Sequence, residues 1–149
     1  MSARKHRVLL TAGLAALAGV AHAADYRTVA DPVAILYDAP SAKAKPLFLI
    51  SRDTPLEVIV ALEGWTKVRD VSGDLSWVEA KTLDARRHVV VNVASAKVRS
   101  APDEGSAVVF SADKGVLLEL AEPISSGWIK VRHHDGQGGY IRAADVWGD

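Results

Sequence analysis

The side chains able to do chemistry in this sequence are few, and their spacing narrows them further. None of the 149 residues is cysteine, which removes a thiol nucleophile, cysteine-ligated zinc, an iron–sulfur site, a disulfide and a lipid-modified cysteine. Serine hydrolysis calls for a nucleophile elbow of the Gly-x-Ser-x-Gly kind, and none is present. Beyond the first 23 residues the histidines are His88, His133 and His134. Adjacent strand residues point to opposite faces, so His133 and His134 are not expected to share a metal ion, and all three are expected as solvent-facing turn histidines. Asp103-Glu104 lie beside Pro102 in a loop where nothing marks them as an acid/base pair. The expectation is a protein without catalytic residues, metal or cofactor.

What remains is recognition chemistry. Trp65, Lys67 and Arg69 alternate along one apolar stretch, with Trp77 on the next; Trp128, Lys130, Arg132 and Tyr140 repeat the arrangement. Indole and phenol rings offer a large rigid surface with one polar handle, suited to peptides or sugars. A neighbouring cation could hold a ligand carboxylate. Trp77 and Tyr140 follow small residues, Ser76 and Gly139, which leave the ring accessible for recognition. Trp65 and Trp128 have a second reading, as caps on the open end of the fold with the cations keeping the outer face in water. Tyr37 could add to a groove in the first set. Trp147 is expected over a barrel end or between modules.

The elements that must position these residues emerge from an internal repeat. Ala39-Pro40 recurs as Ala101-Pro102 and Leu56-Glu57-Val58 as Leu118-Glu119-Leu120, at an offset of 62 residues. One inserted residue then shifts the offset to 63, where Gly64-Trp65-Thr66-Lys67-Val68-Arg69 matches Gly127-Trp128-Ile129-Lys130-Val131-Arg132, and Trp77-Val78 matches Tyr140-Ile141. Short apolar stretches (46–50, 56–62, 108–110 and 116–120) separated by turn residues read as strands of a small barrel or sandwich. Period-two alternation turns Thr66, Val68, Ile129 and Val131 inward and the aromatic and basic residues outward. Ser72-Gly73-Asp74 and Asp135-Gly136-Gln137 read as hairpin turns. Helix is expected only as single turns near 79–82 and 143–146.

Ala96-Lys97-Val98-Arg99-Ser100-Ala101-Pro102, Lys114-Gly115, Gly127-Trp128-Ile129-Lys130-Val131-Arg132, Asp135-Gly136 and Gly139-Tyr140-Ile141 together resemble a bacterial SH3 domain. The second copy resembles the family along its length. The first departs from it at Ile35-Leu36-Tyr37-Asp38, where the family usually has a Val-Arg-Ser type of strand, but keeps the Gly-Trp-x-Lys-Val-Arg and Ser-Trp-Val segments. The resemblance implies an all-β fold of two tandem small five-stranded barrels, without a cofactor, whose relatives bind peptides or cell-wall material. The expected division is residues 24–84, a linker at 85–87, and residues 88–149.

The start of the chain reads as an export signal. Arg4, Lys5 and Arg7 precede a charge-free run, Val8 to Val20, and then Ala21-His22-Ala23, a small-x-small site for cleavage before Ala24. That run is too short to span a bilayer core. Its loss leaves 18 acidic side chains against three fewer basic ones, a net charge of −3. No basic excess speaks for nucleic acid. The expectation is a periplasmic or secreted protein without lipid anchor or membrane insertion after cleavage, binding a cell-wall peptide or an envelope protein segment. An envelope scaffold that presents an edge strand to a partner, and an unrecognised hydrolase, are the alternatives. Oligomeric state is not legible.

Overall fold

The computed structural model describes residues 23–149, so the expected signal sequence lies, except for Ala23, outside the described residues. The rest is all-β, with one 3-10 turn in each copy, at Ala80–Thr82 and Ala143–Asp145. In the first copy the strands are β1 Tyr26–Val29, β2 Val33–Tyr37, β3 Pro46–Ser51, β4 Pro55–Leu62, β5 Trp65–Arg69, β6 Leu75–Glu79 and β7 Leu83–Asp84. The second repeats them as β8 His88–Val91, β9 Ser95–Arg99, β10 Val108–Asp113, β11 Leu117–Ser125, β12 Trp128–Arg132, β13 Gly138–Arg142 and β14 Val146–Trp147. Both sheets have one order, β3-β2-β6-β5-β4-β1-β7 and its counterpart β10-β9-β13-β12-β11-β8-β14.

Each copy therefore has seven strands where five were expected. The excess comes from short pieces such as the two-residue β7 and β14, which are too brief to carry a hydrophobic period. All seven strands of copy one feed a single core of Val29, Ala34, Leu36, Leu56, Val68 and Val78 with Ile50 and Leu83, so the sheet is coiled around its own interior. The core of copy two is larger, with Val89, Val91, Ala96, Val98, Ala112, Leu118, Ile129, Val131, Ile141 and Val146.

The inserted residue that shifts the repeat lies within a strand. Leu62 pairs with Trp65 and Ser125 with Trp128, so both hairpins have a two-residue turn. The β4–β5 ladder has one irregularity and the β11–β12 ladder two, which takes up the extra residue as a second bulge. Gly64 and Gly127 sit in these turns at φ +75° and +80°, a left-handed backbone that glycine adopts without a Cβ clash.

The copies meet at a seam. Trp147 meets Tyr26 edge-to-face with centroids 5.1 Å apart, which settles its position between modules. The Arg87 guanidinium lies 5.4 Å from the Tyr26 ring centre and donates to the Gly148 carbonyl at 2.8 Å. His88 and Val90 alternate away from the core residues Val89 and Val91, yet both are buried. His88 Nε2 lies 3.6 Å from Asp53 Oδ1 of the other copy. His88 is thus a buried seam residue rather than the solvent-facing turn histidine expected, because its strand is covered on both sides.

Candidate functional site

Outward alternation on β5 and β6 gathers the aromatic residues of copy one. Thr66, Val68, Ser76 and Val78 are buried, while Trp65, Lys67, Arg69 and Trp77 are half-buried on the other face. Tyr37, at the end of β2, pairs across the sheet with Trp77 and meets Trp65 edge-to-face at 5.4 Å. Lys67 stands opposite Trp77, its Nζ 5.9 Å from the ring centre. Tyr37, Trp65 and Trp77 therefore gather half-buried on one outer face, with the Lys67 cation over the Trp77 ring. Trp65 lies outside the core cluster, on the outer face of β5.

Copy two repeats the backbone with different partners. Lys130 faces Tyr140, with Nζ 6.0 Å from the ring centre. Arg99 occupies the place of Tyr37 and pairs with Tyr140 across the sheet. Trp128 is covered by the Arg142 guanidinium at 5.7 Å. Glu104 bridges Arg142 and Arg99, the latter at 3.5 Å, and Arg99 also donates to the Ser106 carbonyl at 2.8 Å. Glu104, though exposed, thus links strands β9 and β13 through the two arginines. Arg99 and Arg142 were missed by sequence reasoning; the alignment of Arg99 with Tyr37 was the available signal. Tyr140 lies between two shallow clefts, of about 500 Å³ beside Gly138 and Gly139 and about 220 Å³ beside Pro102, Pro123 and Trp128.

The expected basic strip is mostly neutralised. Arg69 bonds Glu57 at 2.8 Å, Lys130 bonds Glu122 at 3.0 Å and Arg132 bonds Glu119 at 3.1 Å, each across to the preceding strand. The Glu122 hydrogen bond also holds the Lys130 ammonium above its ordinary pKa. Of the four cations, Lys67 alone has no carboxylate partner among the described residues. The free positive charge expected on both copies is thus concentrated on the first.

His133 and His134 lie just beyond β12, where strand alternation no longer separates neighbours, and their rings come within 4.0 Å of each other instead of pointing apart. His133 Nδ1 is 3.1 Å from Asp135. Both border an inter-module cleft of about 490 Å³ with His88, Asp53, Arg86 and Arg132. Among the described residues, no three His, Asp or Glu side chains are grouped to hold a metal.

The bacterial SH3 domain family model matches twice, at residues 30–85 and 92–148. The chain belongs to the bacterial SH3 family. A comparison with curated proteins finds no match. Among solved structures, this bacterial SH3 protein is similar to NlpC2 of Trichomonas vaginalis, at 12% identity and TM-score 0.40, over 85% of this chain and 49% of that one. It is also similar to NlpC1 of the same organism, at 13% identity and TM-score 0.40, over 92% and 51%. An NlpC/P60 family protein from Bacillus cereus gives 15% identity and TM-score 0.38, over 81% and 55%. The chain spans about half the length of these structures. Likenesses this distant carry no argument about activity.

Proposed function

We propose that this bacterial SH3 pair is a non-catalytic, exported binding protein whose ligand is a cell-wall peptide or an extended protein segment of the envelope. One observation carries the reading: each module presents an aromatic side chain on the outward face of β6 or β13, Trp77 or Tyr140, with a lysine from the neighbouring strand over the ring. Such rings give a flat apolar contact to a peptide or sugar, and Lys67, lacking a carboxylate partner, gives copy one a cation for a ligand carboxylate. Two modules on one chain raise avidity for a polymeric ligand that carries the recognised group repeatedly.

The test is pelleting of the purified protein with purified cell wall. Truncating an anchoring aromatic typically costs more than ~1 kcal/mol of binding. Trp77→Ala and Tyr140→Ala are expected to lower the pelleted fraction several-fold with the circular dichroism spectrum unchanged. Salt sensitivity is expected to fall in Lys67→Gln, because exposed charge attraction is screened. Retention unchanged in both aromatic variants would turn the reading toward an envelope scaffold.

A further inference from the structure

We propose that the two modules accept different chemistry: copy one takes the carboxylate of a cell-wall peptide on Lys67, and copy two takes no carboxylate. The residue opposite the lysine on the preceding strand, Val60 or Glu122, makes the difference. The inference rests on the reading that the outer faces of β5–β6 and β12–β13 bind ligand, and it adds what each face accepts.

The two lysines form a matched pair. Lys67 stands between Val60 of β4 and Trp77 of β6, and Lys130 between Glu122 of β11 and Tyr140 of β13. Residues directly opposite in an antiparallel ladder share a face and reach one another. The two ammonium groups lie over their rings alike, 5.9 and 6.0 Å from the centres. Lys130 bonds Glu122 at 3.0 Å. Val60 holds the place of Glu122 in the repeat and offers Lys67 no counter-charge.

The carboxylates in the ladder rows on either side of Lys67 are engaged elsewhere. Glu57 takes Arg69 at 2.8 Å, and Glu79 takes Lys81 at 2.9 Å. Lys67 is thus a half-buried cation with Val60, Trp65 and Trp77 around it. Charge attraction strengthens as the local dielectric falls, so a ligand carboxylate gains more here than at a fully hydrated lysine. On copy two the cations around Tyr140 are all paired: Lys130 with Glu122, Arg132 with Glu119, and Arg99 and Arg142 with Glu104. A carboxylate arriving there meets a face that is already neutralised.

The apolar frame favours a peptide over an acidic sugar. Val60 and Leu62 are 42% and 50% exposed, and Leu62 stands opposite Trp65. They accept the methyl and methylene groups that flank a peptide carboxylate. A sugar would set its hydroxyls against side chains that offer no hydrogen bond.

Pelleting with native and with amidated cell wall tests the proposal. Carbodiimide coupling to methylamine turns wall carboxylates into neutral amides and leaves phosphodiesters charged. The purified protein is expected to pellet several-fold less with amidated wall. Val60→Glu gives Lys67 the partner that Lys130 has, so it should pellet with both walls only as the native protein does with the amidated one. Val60→Gln, which matches glutamate in size without its charge, should keep the preference for native wall. Glu122→Val frees Lys130 and should raise pelleting with native wall alone. Melting temperatures are expected to be retained, because Val60 and Glu122 are exposed and each residue type already occupies this place on the same fold. Equal pelleting of the native protein with the two walls overturns the proposal and leaves binding by the outer faces intact. So does a Val60→Glu variant that still prefers native wall, a Val60→Gln variant that does not, or a Glu122→Val variant without gain. A native protein that pellets with neither wall removes the binding reading itself, and this inference with it.

Discussion

On the outer face of its first hairpin, copy one carries Val33, Ile35 and Leu49 where copy two carries Ser95, Lys97 and Ser111. At the barrel end the contrast reverses. Thr66 and Arg27 stand where copy two has Ile129 and Val89, and a cleft of about 300 Å³ lies beside them. Copy one is thus the more apolar on the outside of its first hairpin and the more polar beside this cleft, whereas copy two has the larger core. The strand order is identical, so it depends on what the copies share. Those features are the inward residues Leu36 and Val98, Leu56 and Leu118, Val68 and Val131, and Val78 and Ile141, and the turns at Gly64 and Gly127.

Exchanging the end residues is the most forceful way to break this comparison. Ile129 is fully buried, and Ile129→Thr removes apolar volume and leaves a hydroxyl in the core of copy two. Shortening such a side chain costs ~0.5–1.5 kcal/mol, and an uncompensated hydroxyl adds ~1–3 kcal/mol. Chemical denaturation is expected to show a loss of ~2–4 kcal/mol from these two effects together. Thr66→Ile, which moves the residue of copy two into copy one, is expected to be neutral or stabilising because the adjoining cleft can accept the added carbons. Equal losses in the two exchanges would mean that the polar end of copy one is packed as tightly as its counterpart.

The next exchange concerns the strand that presents the aromatic rings. A Cβ on Gly139 would collide with the Arg99 carbonyl oxygen and stand 2.9 Å from Val98 Cγ1. Copy one has Ser76 at that place, buried and tolerated. Gly139→Ser is expected to cost ~1–3 kcal/mol, the usual range for forcing atoms into a packed interior. Ser76→Gly should cost less, since it relieves no clash and creates only a small void. Thermal melts of both variants check this. If Gly139→Ser is benign, β9 and β13 are not held closer together than β2 and β6.

These exchanges also mark what could be read in the residues beforehand. The inward set follows from period-two alternation and the turns at Gly73 and Gly136 from glycine's freedom at positive φ, which are local properties. Both copies and the bacterial SH3 resemblance were likewise legible, because Gly-Trp-x-Lys-Val-Arg recurs with few changes. The charge pairing was not. Arg69 with Glu57 and Lys130 with Glu122 depend on which residues of adjacent strands stand together, and bulges reset that register. The seam was also hidden: nothing in His88-Val89-Val90-Val91 distinguishes burial by its own barrel from burial by the neighbouring one. Trp65 and Trp128 alternate outward as expected, but Tyr37 flanks Trp65 from a strand distant in sequence, and Arg142 flanks Trp128 through the register of the next strand.

The smallest effect separates the two copies at the seam itself. His88 holds the place in β8 that Tyr26 holds in β1, since each stands opposite the glutamate of its neighbouring strand, Glu119 or Glu57. His88 is buried and its Nδ1 has no hydrogen-bond partner among the described residues. Burial lowers its pKa below the ordinary 6.5 and Arg86 acts in the same sense, while Asp53, Glu119 and Asp84 oppose them without reversing the direction. The unfolded chain thus takes up a proton at a higher pH than the folded one. The contribution of His88 is fully present above the ordinary histidine pKa, and it is lost as pH falls through that value toward the folded one. Tyr26 is shifted upward, mainly by burial, and stays neutral throughout this range, so copy one adds no such slope. Melting temperatures from pH ~7.5 to ~5 are expected to fall more steeply in the native protein than in His88→Gln, whose side chain does not titrate. An unchanged slope in His88→Gln would leave the seam itself indifferent to pH.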